Sequence, residues 1–325
     1  MPSDTPERAS GTPPGAPWQE PAPADRRASF LRHSFKAMGS PCELQLFAED
    51  PVAAQDAVSA VLADVVRLEQ LYSRYRDDSL TTSINRVAAA GGHISVDDET
   101  AGLLNYAATC YRESDGLFDI TSGVLRKAWN FASGRLPDPA HIESLLCRVG
   151  WSKVKWKPPL LEFLIPGMEL DLGGVVKEYA ADRAASLCRQ RGVRSGMVNL
   201  GGDISVVGPR LDGEPWRIGV QHPRNNAEMM QTIALRGGGL ATSGDYERCL
   251  VIDGVRYGHI LNPRTGWPVR HLASVSVVAD FCVVAGSAST IAMLRDEDGS
   301  AWLEGLGLPH VWVDVNGRTG GSLSS

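Results

Sequence analysis

A short segment at 171–177 combines an aspartate, two adjacent glycines and a lysine in a pattern that could bind phosphate. It follows an apolar stretch that predicts a strand, and it opens a helix predicted over 173–191 with Gly192 as the stop. The exposed N–H groups and the dipole of a helix start attract anions, and Lys177 adds a positive charge one turn in. A tight turn in which Asp171 caps the helix explains the same pattern equally well.

Three further segments combine small, hydroxyl and charged residues. The double glycine at 199–203 suits either a strand bulge or the close approach of a ligand to the backbone. The segment at 241–248 fits a ligand loop or a plain hairpin approach. The segment at 285–290 is interpreted as a helix start, where small residues would let a phosphate or metal come close or would simply pack.

His259 is the candidate for acid–base chemistry, because it follows a short polar hairpin and precedes a Pro/Gly turn. An imidazole titrates near neutral pH and can act there as a general base. A lone histidine is more often structural, so the functional interpretation depends on the neighbouring motifs.

Composition excludes several classes of protein. The 325 residues carry 32 Lys and Arg against 38 Asp and Glu, a net charge of -6, which excludes a basic nucleic-acid footprint as the default. The six cysteines are widely and irregularly spaced without a CxxC pair, so free thiols are expected instead of a disulfide framework or zinc site. No segment is long and apolar enough to span a membrane, and no secretory signal is readable. A cytoplasmic location is expected, or a periplasmic one if the chain start is not native.

The element pattern predicts an α+β fold with largely antiparallel strands, because helices and strands do not alternate regularly. Residues 1–29 are rich in proline and are predicted to be a disordered tail, followed by one domain at 30–318 and a disordered tail at 319–325. Helices are predicted over 52–75, 99–113 and 173–191, and strands over 42–47, 154–156, 196–207, 216–221, 232–235, 248–252, 273–279 and 310–315.

Taken in chain order, the motifs resemble those of the ApbE family, the FAD:protein FMN transferases. The resemblance covers about residues 35–300, and its order and spacing make chance agreement very unlikely. It implies an ApbE-like (T-fold-like) architecture, with two β-rich halves, packed helices and a flavin site between the halves. The matching segments are 35–40, 72–79 with 84–85, 114–121, 171–182, 199–203, 243–248 and 259–266.

The resemblance implies an enzyme that binds FAD together with a divalent cation, usually Mg²⁺. Such an enzyme cleaves the pyrophosphate and transfers FMN to a Thr or Ser hydroxyl of a target flavoprotein, and AMP leaves. The partner would carry an acceptor sequence similar to Asp-Gly-x-Thr/Ser-x-Ala-Thr. Two alternatives stay open: a flavin-binding carrier or accessory protein with weak or no transfer activity, and a hydrolase that splits FAD without a protein acceptor.

The resemblance also assigns roles to individual positions of this chain. His259 is the expected base for the target hydroxyl. The backbone carbonyl of Gly174 and the hydroxyl of Thr290 are the expected metal ligands. The expected FAD contacts are Met38, Tyr75, Leu117, Phe118, Asp119, Asp171, Lys177, Ser243 and Ile260.

Three positions depart from the family pattern. Gly286 stands where the family usually has an aspartate that binds the metal, and Ser287, Ser289, Asp245 or a water are the candidate substitutes. Replacing Gly286 by aspartate is therefore expected to strengthen metal binding. Glu178 stands where many members have glycine, and its carboxylate would either repel the pyrophosphate or take part in a rearranged metal site. Asn262 replaces a frequent aspartate, which is a mild change.

Overall fold

The computed structural model describes residues 28–324, except for the side chains of residues 226 and 227. The predicted N-terminal tail therefore lies almost entirely outside the described residues. Within them the chain forms seven α-helices and fifteen strands. The helices are α1 Pro51–Tyr72, α2 Leu80–Ala90, α3 Asp98–Glu113, α4 Pro139–Leu146, α5 Val176–Gln190, α6 Cys282–Arg295 and α7 Gly299–Gly305. The strands are β1 Ser29–Ala37, β2 Ser40–Ala48, β3 His93–Ser95, β4 Val154–Lys157, β5 Leu160–Phe163, β6 Ser195–Leu200, β7 Asp203–Gly208, β8 Trp216–His222, β9 Asn225–Leu235, β10 Gly239–Gly244, β11 Cys249–Ile252, β12 Val255–Gly258, β13 Leu272–Ala279, β14 His310–Asp314 and β15 Thr319–Gly320.

An eight-stranded antiparallel sheet forms the centre of the fold, in the order β1-β2-β6-β7-β10-β13-β14-β15. It consists of two four-stranded halves, which meet where β7 pairs with β10. That junction pairs only two residues of each strand, Gly239 with Ser205 and Leu240 with Ile204. The structure is therefore an α+β fold with two β-rich halves, as predicted.

Helices cover one face of the sheet. α1 and α5 pack on the first half and on each other, and α6 packs on β10 and β13 of the second half and against α5. The buried side of α1 includes Val58, Val61, Val65 and Leu68, a spacing of three and four residues that places apolar side chains on one helical stripe. The contact between α5 and α6 thus spans the junction of the two halves.

The hairpin β8–β9 covers the other face. Alternate residues of a strand point to opposite faces, and β7 follows this rule. Ile204 and Val206 join the apolar cluster of the hairpin, which includes Trp216 and Ile218. Asp203 and Ser205 instead reach side chains of α5. The acidic side chain of Asp203 and the hydroxyl of Ser205 therefore both face the helical layer.

Several predicted elements differ from the structure. The strand predicted at 196–207 is two strands, because Gly201 and Gly202 adopt positive φ values of 64° and 98° and turn the chain back. Residues 285–290 lie inside α6 and not at its start. The C-terminal segment, predicted as a disordered tail from 319, instead adds β15 to β14, and Leu323 packs on the hairpin cluster.

None of the helices within residues 28–324 is both long and apolar enough to cross a membrane. The six cysteines are all free thiols, as predicted, and four of them are buried.

Candidate active site

The start of α5 brings together three of the predicted motifs. The Lys177 ammonium forms an ion pair with the Asp203 carboxylate, and its Nζ lies 3.3 Å from the Leu200 carbonyl oxygen. Gly201 packs so closely on Ser40 that a Cβ added to it would lie 2.6 Å from the Ser40 Cβ. The turn at 38–40, the double-glycine turn and the helix start therefore form one surface.

Lys177 remains a cation at this position. Burial lowers its pKa, but the charges of Asp203 and Glu178 outweigh that effect and raise the pKa above its ordinary value. Met38 lies on the same surface, in a turn where its φ of 51° is left-handed. The predicted contact of both residues with FAD stays a prediction.

Arg74, for which the sequence analysis predicts no role, contacts both Asp171 and Tyr75. The Arg74 guanidinium pairs with the Asp171 carboxylate, and it also lies 3.8 Å from Glu169. The Tyr75 ring is 74% exposed, and the Arg74 Cζ lies 5.8 Å from its centroid. Asp171 additionally accepts a hydrogen bond of 2.9 Å from the Gly173 N–H, so it also caps the turn. Tyr75 thus offers an open aromatic face next to a half-buried cation.

Asp119 belongs to a fully bonded structural cap. Its Oδ1 accepts hydrogen bonds from the backbone N–H and the hydroxyl of Thr121, at 2.8 and 2.6 Å, and its Oδ2 accepts one of 3.0 Å from the Trp151 N–H. Burial raises its pKa, while these bonds act in the opposite direction. We call this arrangement of Asp119, Thr121 and Trp151 the Asp119 cap.

The cap also holds the neighbouring predicted residues in place. Leu117 and Phe118 are buried in the main core. The Phe118 ring lies 3.6 Å from where a Cβ of Gly174 would be. Gly174 itself is exposed, and within residues 28–324 no other backbone N–H donates to its carbonyl oxygen. That oxygen is therefore available to a ligand.

Hydroxyl groups of β10 and α6 converge in the second half of the molecule. The Ser243 Oγ lies 2.8 Å from the Ser289 Oγ and 2.9 Å from the Thr290 Oγ1. Ser289 is fully buried, whereas Ser243 and Thr290 are half-buried. Gly286 precedes Thr290 by one helical turn and so lies on the same side of α6.

Glu178 of α5 occupies the space beside Gly286. A Cβ added to Gly286 would lie 2.5 Å from the Glu178 Cγ and 2.8 Å from its Oε1. The Glu178 side chain is buried, and its Oε2 has no hydrogen-bond partner among the described residues. Burial, followed by the negative charge of Asp203, raises the Glu178 pKa well above its usual range. We call the group of Glu178, Gly286, Ser243 and Thr290 the Glu178 site.

This contact corrects the expectation for the Gly286→Asp variant. An aspartate at 286 would place its Cβ inside the volume that Glu178 fills, and would bring a second carboxylate next to the first. The single substitution is therefore expected to disturb the site instead of strengthening it.

His259 lies directly after β12, beside the loop that follows β10. The neighbouring Gly258 packs on Asp245, and a Cβ added to it would lie 2.9 Å from the Asp245 Cβ. His259 is exposed, but the protein atoms around it desolvate the ring and lower its pKa, with the charge of Glu247 acting in the opposite direction. Ile260 follows, and its carbonyl accepts a hydrogen bond of 3.1 Å from the Val269 N–H. The imidazole is therefore accessible and neutral at neutral pH.

The oxygen atoms of the Glu178 site fit a hard divalent cation better than a transition metal. Within the described part of the chain no three His, Cys, Asp or Glu side chains come together as a metal centre. Mg²⁺ is commonly held by one or two carboxylates completed by waters and substrate phosphates. A buried carboxylate oxygen without a partner, packed on Gly286 one helical turn before Thr290, meets that requirement.

Sequence reasoning missed two of the charged residues here. Arg74 and Asp203 both lie inside segments that carry the family resemblance, but neither was given a role. The signal for Asp203 was its place directly after the double glycine, which turns β7 so that the side chain faces Lys177. Arg74 directly precedes the predicted FAD contact Tyr75, and only the folded structure shows that the Arg74 side chain faces Asp171.

Two surface cavities of about 360 Å³ each are lined by other residues. One is lined by residues of α3, α5 and α6, including Tyr106 and Tyr179, and the other by residues near Leu308. No predicted site residue lines either cavity. The convergence of polar groups, and not cavity size, identifies the candidate site.

The sequence of this protein is similar to a family of known proteins. The sequence profile of the ApbE family matches residues 38–312, so the chain belongs to the ApbE family. It is 34% identical over 254 residues to the FAD:protein FMN transferase of Klebsiella pneumoniae, covering 76% of this chain and 77% of the relative. It is 29% identical over 269 residues to the FAD:protein FMN transferase of Salmonella typhimurium, covering 80% and 77%.

Solved structures match over almost the whole length. The ApbE protein of Thermotoga maritima matches with a TM-score of 0.84 and 30% identity, covering 91% of this chain and 97% of that chain. The flavinyl transferase ApbE of Pseudomonas stutzeri matches with a TM-score of 0.80 and 28% identity, covering 90% and 93%. The predicted fold class is confirmed by these matches.

Proposed function

We propose that this protein is an FAD:protein FMN transferase, which moves FMN from FAD to a Thr or Ser hydroxyl of a target flavoprotein and releases AMP. The observation that carries the proposal is the convergence at the junction of the two halves. There a half-buried cation, Lys177, a carboxylate with a partnerless oxygen, Glu178, and the hydroxyls of Ser243 and Thr290 lie on the facing helices and strands. The named activity of the relatives points to the same chemistry.

The residues suit a phosphoryl-group transfer, in which positioning and charge neutralisation provide most of the catalysis. Lys177 supplies a positive charge for the pyrophosphate in the first turn of α5. The exposed Tyr75 ring supplies a stacking face for an aromatic part of FAD. These contacts would hold FAD with its pyrophosphate at the junction.

His259 performs the proton transfer. The hydroxyl oxygen of the target bonds to the phosphorus on the FMN side, and its proton passes to the neutral imidazole. The bond from that phosphorus to the bridging oxygen breaks, and the bridging oxygen leaves with AMP. The lowered pKa of His259 keeps it unprotonated and therefore ready to accept the proton at neutral pH.

The proposal includes a divalent cation such as Mg²⁺, held by the Gly174 carbonyl, the Thr290 hydroxyl and a carboxylate. When bound, such a cation neutralises charge on the pyrophosphate. The fit rests on the free Gly174 carbonyl and on the partnerless Glu178 oxygen.

Intact-mass spectrometry tests the activity. A protein that carries an Asp-Gly-x-Thr/Ser-x-Ala-Thr acceptor sequence is incubated with this chain, FAD and Mg²⁺. We expect the acceptor to gain the mass of one FMN moiety. An acceptor whose Thr or Ser is replaced by Ala should gain nothing, and a chelator should prevent the reaction.

Two other outcomes separate the alternatives. FAD that stays bound and intact, with no modification across several acceptor sequences, would support a flavin carrier. Release of free FMN and AMP without modification of any acceptor would support a hydrolase. Either outcome would overturn the transferase proposal.

A further inference from the structure

Glu178 and Gly286 form a complementary pair across the α5–α6 contact. The Glu178 side chain fills the space where a side chain of residue 286 would begin. A Cβ added to Gly286 would lie 2.5 Å from the Glu178 Cγ and 2.9 Å from its Cδ. Only glycine at 286 lets Glu178 adopt this position. The Glu178 carboxylate thus lies where a short acidic side chain on α6 would place its own.

One oxygen of the Glu178 carboxyl group lacks the hydrogen bond that a buried acid needs. Glu178 is only 8% exposed, and its Oε2 has no hydrogen-bond partner among residues 28–324. The neighbouring cation, Lys177, is engaged by Asp203. Buried polar atoms without a partner are rare in folded proteins and mark positions where a ligand or ion completes the bonding.

The other acidic groups nearby are already engaged. The Asp245 carboxylate receives two hydrogen bonds from the Arg224 guanidinium, at 2.5 and 2.7 Å. Asp182 accepts from the Ser205 hydroxyl and from the backbone N–H groups of Cys282 and Val283 that open α6. Asp245 was a candidate substitute for the missing aspartate, and its ion pair with Arg224 argues against that role.

The serines considered as substitutes are engaged as well. The Ser287 Oγ lies 2.6 Å from the Tyr106 hydroxyl and 2.9 Å from the Val283 carbonyl. The Ser289 hydroxyl donates to the Gly286 carbonyl at 2.9 Å. Glu178 is therefore the acidic group of this region with an oxygen to spare.

We propose that Glu178 is the carboxylate ligand of a divalent cation, with Mg²⁺ as the expected ion, and that Gly286 is the space that lets α5 supply this ligand across the helix contact. The Thr290 hydroxyl lies on α6 one turn beyond Gly286, and the Gly174 carbonyl lies just before α5, one turn before Glu178. All three donors are oxygen atoms, as Mg²⁺ requires. The inference rests on the proposed function for its cation, but its test measures binding and not transfer.

Direct cation binding tests the proposal. Mn²⁺, which electron paramagnetic resonance detects, is titrated into the protein saturated with FAD, with a protein-free FAD titration subtracted, and Mg²⁺ is used as competitor. We expect Glu178→Gln to weaken Mn²⁺ binding about tenfold or more, because the charge of a direct ligand is lost at constant shape. The control is Asp314→Asn, since Asp314 on β14 is also a buried carboxylate but is paired with Arg318. Binding by Glu178→Gln within twofold of the unmodified protein would overturn the proposal.

An exchange of the two residues provides a second test. Gly286→Asp alone is expected to bind Mn²⁺ more weakly than the unmodified protein, because the new side chain displaces Glu178. The double variant Glu178→Gly with Gly286→Asp returns the carboxylate to α6 and is expected to regain binding to within a few-fold. A folded double variant that binds Mn²⁺ no better than Glu178→Gln would contradict the idea that residues 178 and 286 can place a carboxylate at the same position.

The results also separate this inference from the proposed function. A protein that binds Mn²⁺ through Glu178 but transfers no FMN retains the inference and loses the function. A protein that transfers FMN with a cation requirement that Glu178→Gln does not alter retains the function and loses the inference.

Discussion

The Asp119 cap and the Glu178 site each contain a buried carboxylate, and the two carboxylates differ in how many hydrogen bonds they accept. The two oxygens of Asp119 accept three hydrogen bonds from Thr121 and Trp151. Glu178 is as deeply buried, at 8% exposure against 7%, but its Oε2 has no partner among the described residues. Burial raises the pKa of both groups.

The difference shows which of the two carboxylates has bonding capacity left for a ligand. Hydrogen bonds to a charged group each stabilise a fold by about 1.5–3 kcal/mol, and Asp119 uses its oxygens in this way. Glu178 forms no such bond through Oε2, so its burial lowers the stability of the fold. The Asp119 carboxylate therefore stabilises the fold through its hydrogen bonds, whereas Glu178 has an oxygen that is free to bind a ligand.

The largest expected effect is a loss of transfer on replacing His259, which lies beside the loop that follows β10 and has no part in the Asp119 cap. His259→Ala removes the proposed base, and we expect FMN transfer to fall by about 100-fold or more. FAD binding and thermal stability should change little, because the ring is exposed. Rates come from the acceptor mass assay, and FAD affinity from fluorescence titration.

The control for this variant is His93→Ala, which removes an exposed histidine on β3, a strand that carries none of the predicted site residues. Transfer by His93→Ala should match that of the unmodified protein. Undiminished transfer by His259→Ala would remove His259 from catalysis and leave the site without its proposed base.

The second prediction compares the two carboxylates directly. Asp119→Asn replaces one acceptor oxygen by an NH₂ group that faces backbone or hydroxyl donors, and we expect the free energy of unfolding to fall by about 1–3 kcal/mol. Glu178→Gln removes a poorly solvated acid and should leave that free energy unchanged or raise it in the absence of divalent cations. Urea unfolding, followed by circular dichroism with a chelator present, measures both. An equal loss in the two variants would contradict the distinction between them.

Much of the fold could be predicted because its signals are local. The apolar stripe of α1 and the glycine after α5, with φ of 82° at Gly192, mark their elements within a few residues. α2 was missed because hydroxyl residues dominate its start. Those hydroxyls turn out to act as caps, since Ser79 accepts from the Thr82 N–H and the Thr81 hydroxyl bonds the Tyr72 carbonyl.

The site could be predicted only where a motif is contiguous. The segments around Lys177 and His259 carry their own patterns, and the resemblance placed them. The contact between Glu178 and Gly286 could not be found this way, because it joins two helices through the packing of both sheet halves. The sequence marked each position as unusual, but the distance that relates them exists only in the folded chain.

The smallest expected effect concerns the pH dependence of transfer, and it separates a desolvated His259 from an ordinary surface histidine. The base must be unprotonated to accept the hydroxyl proton, and desolvation lowers the His259 pKa below its ordinary value of 6.5. The acid limb of kcat/KM should therefore lie below pH 6.5. Glu247 raises that pKa, so Glu247→Gln should move the limb to still lower pH by a fraction of a unit. Steady-state rates between pH 5 and 8, with the half-buried Glu162→Gln variant on β5 as control, would show this shift. A limb above pH 6.5 would mean that His259 is not desolvated in the working enzyme.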